Sequence, residues 1–272
     1  MTKDLKTVIV TGASQGIGRA ICMSFLSEGY EVIGIARKKE ALLAIKAESD
    51  NFVPYCMDLA NLEEIQGFAE VLAQSSHKKL NKNNKINEVQ PSDSFSTLKL
   101  KGQLTTLVNN AAQFVSKDFL STKSEDWDKQ FQVNLKAPAL LMQLLFPLLK
   151  KSKDNGFDCN VINISSSAGT RPVPNMAAYG SLKSAFTHLS QIVALEWAEH
   201  GIRVNCIAPG IVDTPIHNVR DQDKSTVDFL NHLQPLKRIG QPEEIAEAVN
   251  YLNQSSWTTG STLCIDGGIS LV

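Results

Sequence analysis

The first apolar run of the chain, Thr7-Val-Ile-Val, passes into Thr11-Gly12-Ala13-Ser14-Gln15-Gly16-Ile17-Gly18, and a helical segment from Arg19 to Ser27 follows until Gly29 stops it. A short strand without polar alternation is typical of a parallel sheet covered on both faces. Glycines between a strand and a helix mark a backbone that turns sharply and meets a ligand with no Cβ in the way. The helix start behind them offers free N–H groups to a phosphate. Strand, glycine turn and helix in this order point to a nucleotide-binding α/β arrangement; the alternative is a plain strand-to-helix turn.

A second stretch carries chemistry. Val161-Ile-Asn-Ile runs into Ser165-Ser166-Ser167, and after a loop with Pro172 and Pro174 comes Tyr179-Gly-Ser-Leu-Lys183. An apolar run ending in serines reads as a buried strand opening into a site, and the segment from Tyr179 has helical periodicity. Four residues apart on a helix, the phenol and the ammonium share one face. A neighbouring positive charge is expected to lower the Tyr pKa from about 10 and bring a proton donor into working range. Such a pair also occurs on ordinary surface helices.

Ser166 precedes Tyr179 by thirteen residues. With a serine at that interval before Tyr-x-x-x-Lys, the sequence resembles the short-chain dehydrogenase/reductase family, in its single-domain branch. Gly12-x-x-x-Gly16-x-Gly18 is the glycine spacing of that family. The resemblance implies a Rossmann-type doubly wound parallel α/β sheet of about seven strands flanked by helices. It implies a catalytic set of Asn134, Ser166, Tyr179 and Lys183. It also implies that a nicotinamide cofactor lies along Gly12, Ser14, Gln15, Gly16, Ile17 and Gly18, with Tyr179 and Lys183 reaching it as well.

The rest of the chain extends that reading. The second strand, Glu31 to Ala36, ends in Arg37-Lys38-Lys39. In such sheets an acid near this point bonds the ribose 2′-hydroxyl and an Arg accommodates a 2′-phosphate. Arg37 therefore favours NADP(H), with NAD(H) possible, although Gln15 stands where many NADP-preferring relatives carry a base. Alternatively, the basic residues open a solvated helix. A third strand, Phe52 to Met57, delivers Asp58 and Leu59, which the resemblance places at the adenine. The residues alone also allow Asp58 to cap the helix from Leu62, where Asn61 and Glu64 make a capping pattern. A fourth strand, Leu104 to Val108, leads to Asn110 and to Ala112, where relatives usually have Gly. Asn134 lies in a long helix expected from Trp127 towards Leu149. It reads as a buried amide bonded to backbone, and in the family an Asn here holds a water linking the catalytic Lys to solvent. A sixth strand, Arg203 to Ala208, meets Pro209 and Gly210, which with the Val212 backbone and Thr214 should surround the nicotinamide. Asp213 to Leu236 is polar and irregular, as a mobile lid or an inert loop would be. Leu263-Cys-Ile supplies a seventh strand.

Composition excludes other classes. With 272 residues and 43% hydrophobic content, the chain suits one domain over 1–272. A polar stretch at about 75–102 reads as a surface insertion. A net charge of −1 is unhelpful to nucleic acid or an anionic membrane. Five scattered cysteines read as free thiols of a reducing compartment. No metal motif stands out, and the N-terminus leaves no room for a signal peptide. The apolar stretch from Ala137 to Leu149 is too short to span a bilayer. These features suggest a cytoplasmic protein, and the resemblance implies an oxidoreductase acting on a small carbonyl or alcohol: a 3-oxoacyl thioester, a sugar or polyol, or another small ketone. A non-catalytic NADP-binding regulator is the alternative. Apolar surfaces on the helices at 137–149 and 179–197 suggest a homotetramer or homodimer.

Overall fold

The computed structural model describes residues 5–77, 98, 100–216 and 223–272. Seven strands among them are β1 (Lys6–Thr11), β2 (Glu31–Ala36), β3 (Phe52–Cys56), β4 (Gln103–Asn109), β5 (Cys159–Ile164), β6 (Ile202–Pro209) and β7 (Thr262–Ile265). They form one parallel sheet in the order β3-β2-β1-β4-β5-β6-β7. Between them run α1 (Gly16–Ser27), α2 (Lys39–Glu48), α3 (Leu62–His77), α4 (Ser124–Phe131), α5 (Ala137–Asp154), α6 (Ala177–Ala198), α7 (Lys224–Leu233) and α8 (Pro242–Gln254).

Successive strand residues face opposite sides, so a sheet covered on both faces needs apolar residues at every position. In β1, Val8 and Val10 pack with Ile21 and Phe25 of α1, Leu42 of α2 and Val249 of α8. Ile9 faces the other side, with Phe68 of α3, Leu141 of α5 and Phe186 of α6. The strand order reverses direction between β1 and β4. A crevice outside the carboxyl ends of two such strands is where open α/β sheets bind ligands.

The structure corrects four local expectations. Helix α1 begins at Gly16, so the glycine turn supplies its first turn. The helix expected from Trp127 begins at Ser124 and is interrupted by a π-helical turn, Gln132–Lys136, centred on Asn134. The irregular stretch expected from Asp213 to Leu236 contains α7, whose Asp223 side chain accepts the Thr226 N–H at 2.9 Å as an N-cap; residues 217–222 of that stretch lie outside the described residues. The expected insertion also loses both ends. Helix α3 continues through His77, Leu98 is buried in the core, Leu100 packs against it, and the Lys101 N–H donates to the Glu31 carboxylate at 3.1 Å. Its middle, 78–97 and 99, lies outside the described residues. No helix among the described residues is long and apolar enough to cross a membrane.

Candidate active site

The cofactor half is built where β1 and β4 diverge. Thr11 Oγ1 accepts the N–H groups of Asn110 at 2.9 Å and Ala111 at 3.0 Å. In return Asn110 Nδ2 donates to the carbonyls of Thr11 at 2.9 Å and Gly12 at 3.4 Å. The glycine turn is thus tied to the end of β4. Gly18 is required by proximity: a Cβ there would lie 2.1 Å from the Gly12 carbonyl oxygen, so any side chain would push α1 off the turn. Gly16 faces Thr214, since a Cβ on it would lie 3.1 Å from the Thr214 methyl group. The segment after β6 therefore closes against the glycine turn. Gln15, exposed, is the N-cap residue of α1 but makes no side-chain cap, and no acid occupies the first turn. Among the described residues the N–H groups at this helix start meet no competing carboxylate, and the Gly18 approach keeps the backbone bare. This cradle fits a pyrophosphate. Ser14 and Ile17, both partly exposed, stand on the same turn.

The adenosine-side residues stand one strand further out. Arg37 is exposed just past β2, and its carbonyl accepts the Cys56 thiol at 3.2 Å. Among the described residues no carboxylate pairs with its guanidinium. Asp58 closes a turn, its Oδ1 accepting the Ala60 N–H at 3.0 Å. The cap of α3 falls instead to Asn61, whose Oδ1 accepts the Glu63 N–H at 3.0 Å. Leu59 turns its side chain into the core, leaving only its backbone for a ligand. At the other side Pro209 ends β6, Gly210 follows, and Val212 forms a bridge with Gly240. That bridge uses the Asp213 N–H and the Ile211 carbonyl, so the Val212 N–H points away from it. Thr214 Oγ1 donates to the Val212 carbonyl at 3.3 Å.

The catalytic half joins β5 to α6. Strand β5 stops at Ile164. The alternation expected to carry Ser165 and Ser167 away from Ser166 does not persist, because Ser167–Gly169 forms a 3-10 turn capped by Ser166 Oγ, which accepts the Ala168 N–H at 3.1 Å. The Ser166 side chain acts on the Tyr179 phenol, opposing the rise of its pKa. One turn along α6, the buried Lys183 places Nζ 5.8 Å from the Tyr179 ring centre and donates to the Ile164 carbonyl at 2.8 Å. Ser165 turns toward α6, where its Oγ donates to the Lys183 carbonyl at 3.0 Å and lies 2.7 Å from Thr187 Oγ1. Asn134 is buried, as its amide role requires. Its Oδ1 accepts the Gln113 N–H and its Nδ2 donates to the Gln113 carbonyl, both at 2.8 Å.

Two residues escaped the sequence reading. Gln130, fully buried one turn before Asn134, accepts the Val115 N–H at 3.3 Å. Phe114, between the two clamped residues, stands perpendicular to the Tyr179 ring with centroids 4.9 Å apart and planes at 88°. Gln130 had a signal, its i, i+4 spacing from Asn134. Phe114 had none, because a lone aromatic in a loop shows its contact only in three dimensions.

The titration of the pair departs from expectation. Burial pushes the Tyr179 phenol up to about 12, against the opposing effect of the Ser166 side chain, and the nearby ammonium does not pull it below its ordinary value. Burial pushes Lys183 down to about 8, opposed by the neighbouring Cys206. Desolvation disfavours both charged forms and is the largest cause of each shift.

Comparison with known proteins agrees with this architecture. A family profile described as short chain dehydrogenase matches residues 6–81, and one described as Enoyl-(Acyl carrier protein) reductase matches 92–270. The chain is 30% identical to L-xylulose reductase of Mus musculus over 265 residues, covering 97% of this chain and 96% of that protein. It is 30% identical to the 3-oxoacyl-[acyl-carrier-protein] reductase of Thermotoga maritima over 277 residues, covering 99% of each. The solved structure of ElxO with NADP bound superposes with a TM-score of 0.81 at 25% identity, covering 100% of both chains.

The Lys183 shift has a measurable consequence. The unfolded chain holds this proton up to about 10.5 and the folded chain only to about 8. Between those values the unfolded state binds more protons, so stability rises with pH, by up to about 1.4 kcal/mol per unit from this group. Urea unfolding of wild type and Lys183→Met between about pH 8 and 10 should show a steeper rise in the wild type. Parallel curves would mean that the ammonium is not desolvated in the folded protein.

Proposed function

Because the chain belongs to the short-chain dehydrogenase/reductase family, we propose that its Ser166, Tyr179 and Lys183 cluster interconverts a carbonyl compound and a secondary alcohol with NADP(H) held along the glycine turn. The observation that carries this reading is the Ser166 hydroxyl acting on the Tyr179 phenol, with the buried Lys183 ammonium 5.8 Å from the Tyr179 ring centre. A nicotinamide dinucleotide, when bound, supplies or accepts the hydride at the carbon centre. The chain's own residues manage the oxygen. Tyr179 Oη gives its proton to the carbonyl oxygen during reduction, and Ser166 Oγ donates a hydrogen bond to the same oxygen as charge builds there. Lys183 fixes the phenol from below and, as in relatives, offers an N–H to the nicotinamide ribose. Asn134 spends one donor and one lone pair on Gln113. Its second N–H and lone pair remain for the water that relatives hold there.

For the cofactor, Gly12, Ser14, Gln15, Gly16, Ile17 and Gly18 form the pyrophosphate cradle, and Asn110 fixes its base. Asp58 and the Leu59 backbone take the adenine, while Pro209, Gly210, the Val212 N–H and Thr214 take the nicotinamide. Arg37 takes the 2′-phosphate. The relatives named above reduce either a sugar or an acyl-carrier thioester, so a small carbonyl compound is the substrate class. We read residues 1–272 as one domain with a surface insertion, consistent with the stretch that neither family profile matches, 82–91. We read the protein as cytoplasmic, because its five cysteines are free thiols, as a reducing compartment keeps them.

Tyr179→Phe tests the mechanism, since it removes one oxygen and little volume. Carbonyl reduction followed by NADPH oxidation should fall at least about a hundredfold while cofactor binding persists. Undiminished turnover would remove Tyr179 from the proton transfer.

Cofactor choice rests on Arg37. A guanidinium makes paired, charge-assisted bonds to a phosphate, and each such bond is worth about 1.5–3 kcal/mol, so NADPH should bind roughly tenfold or more tighter than NADH. Arg37→Asp should reverse the order, because a carboxylate repels the phosphate and accepts from a ribose hydroxyl. Titration calorimetry at fixed salt reads both affinities; equal wild-type values would make NAD(H) the partner.

Assembly as a homotetramer or homodimer is supported by apolar residues left on α6, where Ile192 is 42% exposed and Leu195 81%, and by Phe131 of α4 at 45%, whereas the 137–149 segment expected to share that surface exposes no large apolar side chain. Light scattering at micromolar concentration should give a multiple of 29.8 kDa. A monomeric mass would overturn it.

A further inference from the structure

We propose that Phe114 is a specificity-determining wall of the substrate site, selecting carbonyl compounds that carry an aryl or other flat apolar group beside the C=O. The proposal rests on the carbonyl-reductase reading and deepens it. A carbonyl oxygen shared by the Ser166 and Tyr179 hydroxyls has its substituents next to whatever flanks the Tyr179 ring. What flanks it is Phe114, edge to face at 4.9 Å and 88°.

This ring is held in place from both sides. Asn134 grips the N–H and the carbonyl of Gln113 just before it, and Gln130 takes the Val115 N–H just after it. Beyond them the Lys117 N–H donates to the Asn175 carbonyl at 2.9 Å, joining this segment to the loop that leads into α6. The clamp is costly: Gln130 is fully buried, and its Nε2 has no hydrogen-bond partner among the described residues. A side chain placed by three independent backbone anchors is a preorganised surface, since little ordering is left for binding.

The chemistry of that surface decides the class. A half-buried phenyl ring offers dispersion and an edge or face to another aromatic, and nothing to a hydroxyl. A sugar or polyol laid there loses water from its hydroxyls without regaining hydrogen bonds on that side. An aryl ketone gains a ring partner and gives up no polar hydration. This prediction opposes the sugar in the name of one relative, L-xylulose reductase, which makes it informative.

The test compares acetophenone with a pentulose, using purified wild type, Phe114→Ala and Phe114→Leu. The wild type should prefer the aryl ketone at least tenfold in kcat/KM. The preference ratio should fall at least tenfold in Phe114→Ala and less in Phe114→Leu, which keeps apolar volume. A wild-type preference for the pentulose, or a ratio unmoved by Phe114→Ala, overturns the proposal. Wild-type inactivity on every carbonyl with either cofactor sinks the reductase reading instead. In that event ligand-observed NMR of acetophenone with cofactor-loaded wild type and Phe114→Ala still decides the wall: weaker binding to the variant supports it and equal binding overturns it.

Discussion

Burial of the Lys183 ammonium is the constraint on which the catalytic half depends. A cation taken from water must find acceptors, and here the first is the carbonyl of Ile164, the last residue of β5. To reach it, α6 has to lie close over the strand end. Gly169 allows that approach, since a Cβ on it would sit 2.8 Å from the Lys183 carbonyl carbon. The helix is then stitched to the sheet at successive levels. Ser165 holds the Lys183 carbonyl, and Asn163 Nδ2 donates at 2.8 Å to Ser190, which itself donates to the Phe186 carbonyl. These polar contacts lie in an otherwise apolar layer, where a satisfied network fixes one register and an unsatisfied one is costly. Tyr179 and Ser166 inherit their positions from this seam.

The two halves of the site meet at the end of β4 through neighbouring asparagines. Asn109 Nδ2 donates at 2.8 Å to Asn163, joining the seam under α6, while Asn110 bonds the glycine turn on β1. Adjacent residues at a strand end face opposite ways, so one dipeptide fastens the cofactor cradle to the catalytic helix. The crevice at the strand-order reversal is therefore a braced gap. Thr214, reaching back against Gly16, narrows it from the far side.

The parts legible in the sequence were those whose causes are local. Gly12, Gly16 and Gly18 could be read because a bare backbone is a property of the residues themselves, and Tyr179 with Lys183 because helical spacing fixes their common face. Strands β1, β2, β4 and β5 declared themselves as apolar runs between turns. Helix α7 was missed although Asp223 before Thr226 is a capping signal, because its apolar residues are few and none is buried. The end of the insertion was misjudged for a different reason. Leu98 and Leu100 look like isolated apolar residues in a polar stretch, and only the core of α3 and α5 shows them as the return of the packed chain. Phe114 and the Gln130 clamp belong to the same kind: their meaning lies in partners distant along the chain.

The protonation states were the deepest such failure, and they bear on the direction of chemistry. Spacing suggests that an ammonium lowers a phenol's pKa, but the sign of the outcome depends on how much water both groups lose. Here the loss is large enough to reverse the expectation: the phenol moves up to about 12 and the ammonium down to about 8. Near neutrality both keep their protons. Reduction needs a protonated phenol, which this site holds ready, whereas alcohol oxidation needs a phenolate, which burial makes scarce. Of the three ammonium N–H groups of Lys183, one is spent on Ile164. Acceptors offered to the others by a bound ligand would hold the positive charge beyond pH 8 and so widen the range over which its field favours the phenolate.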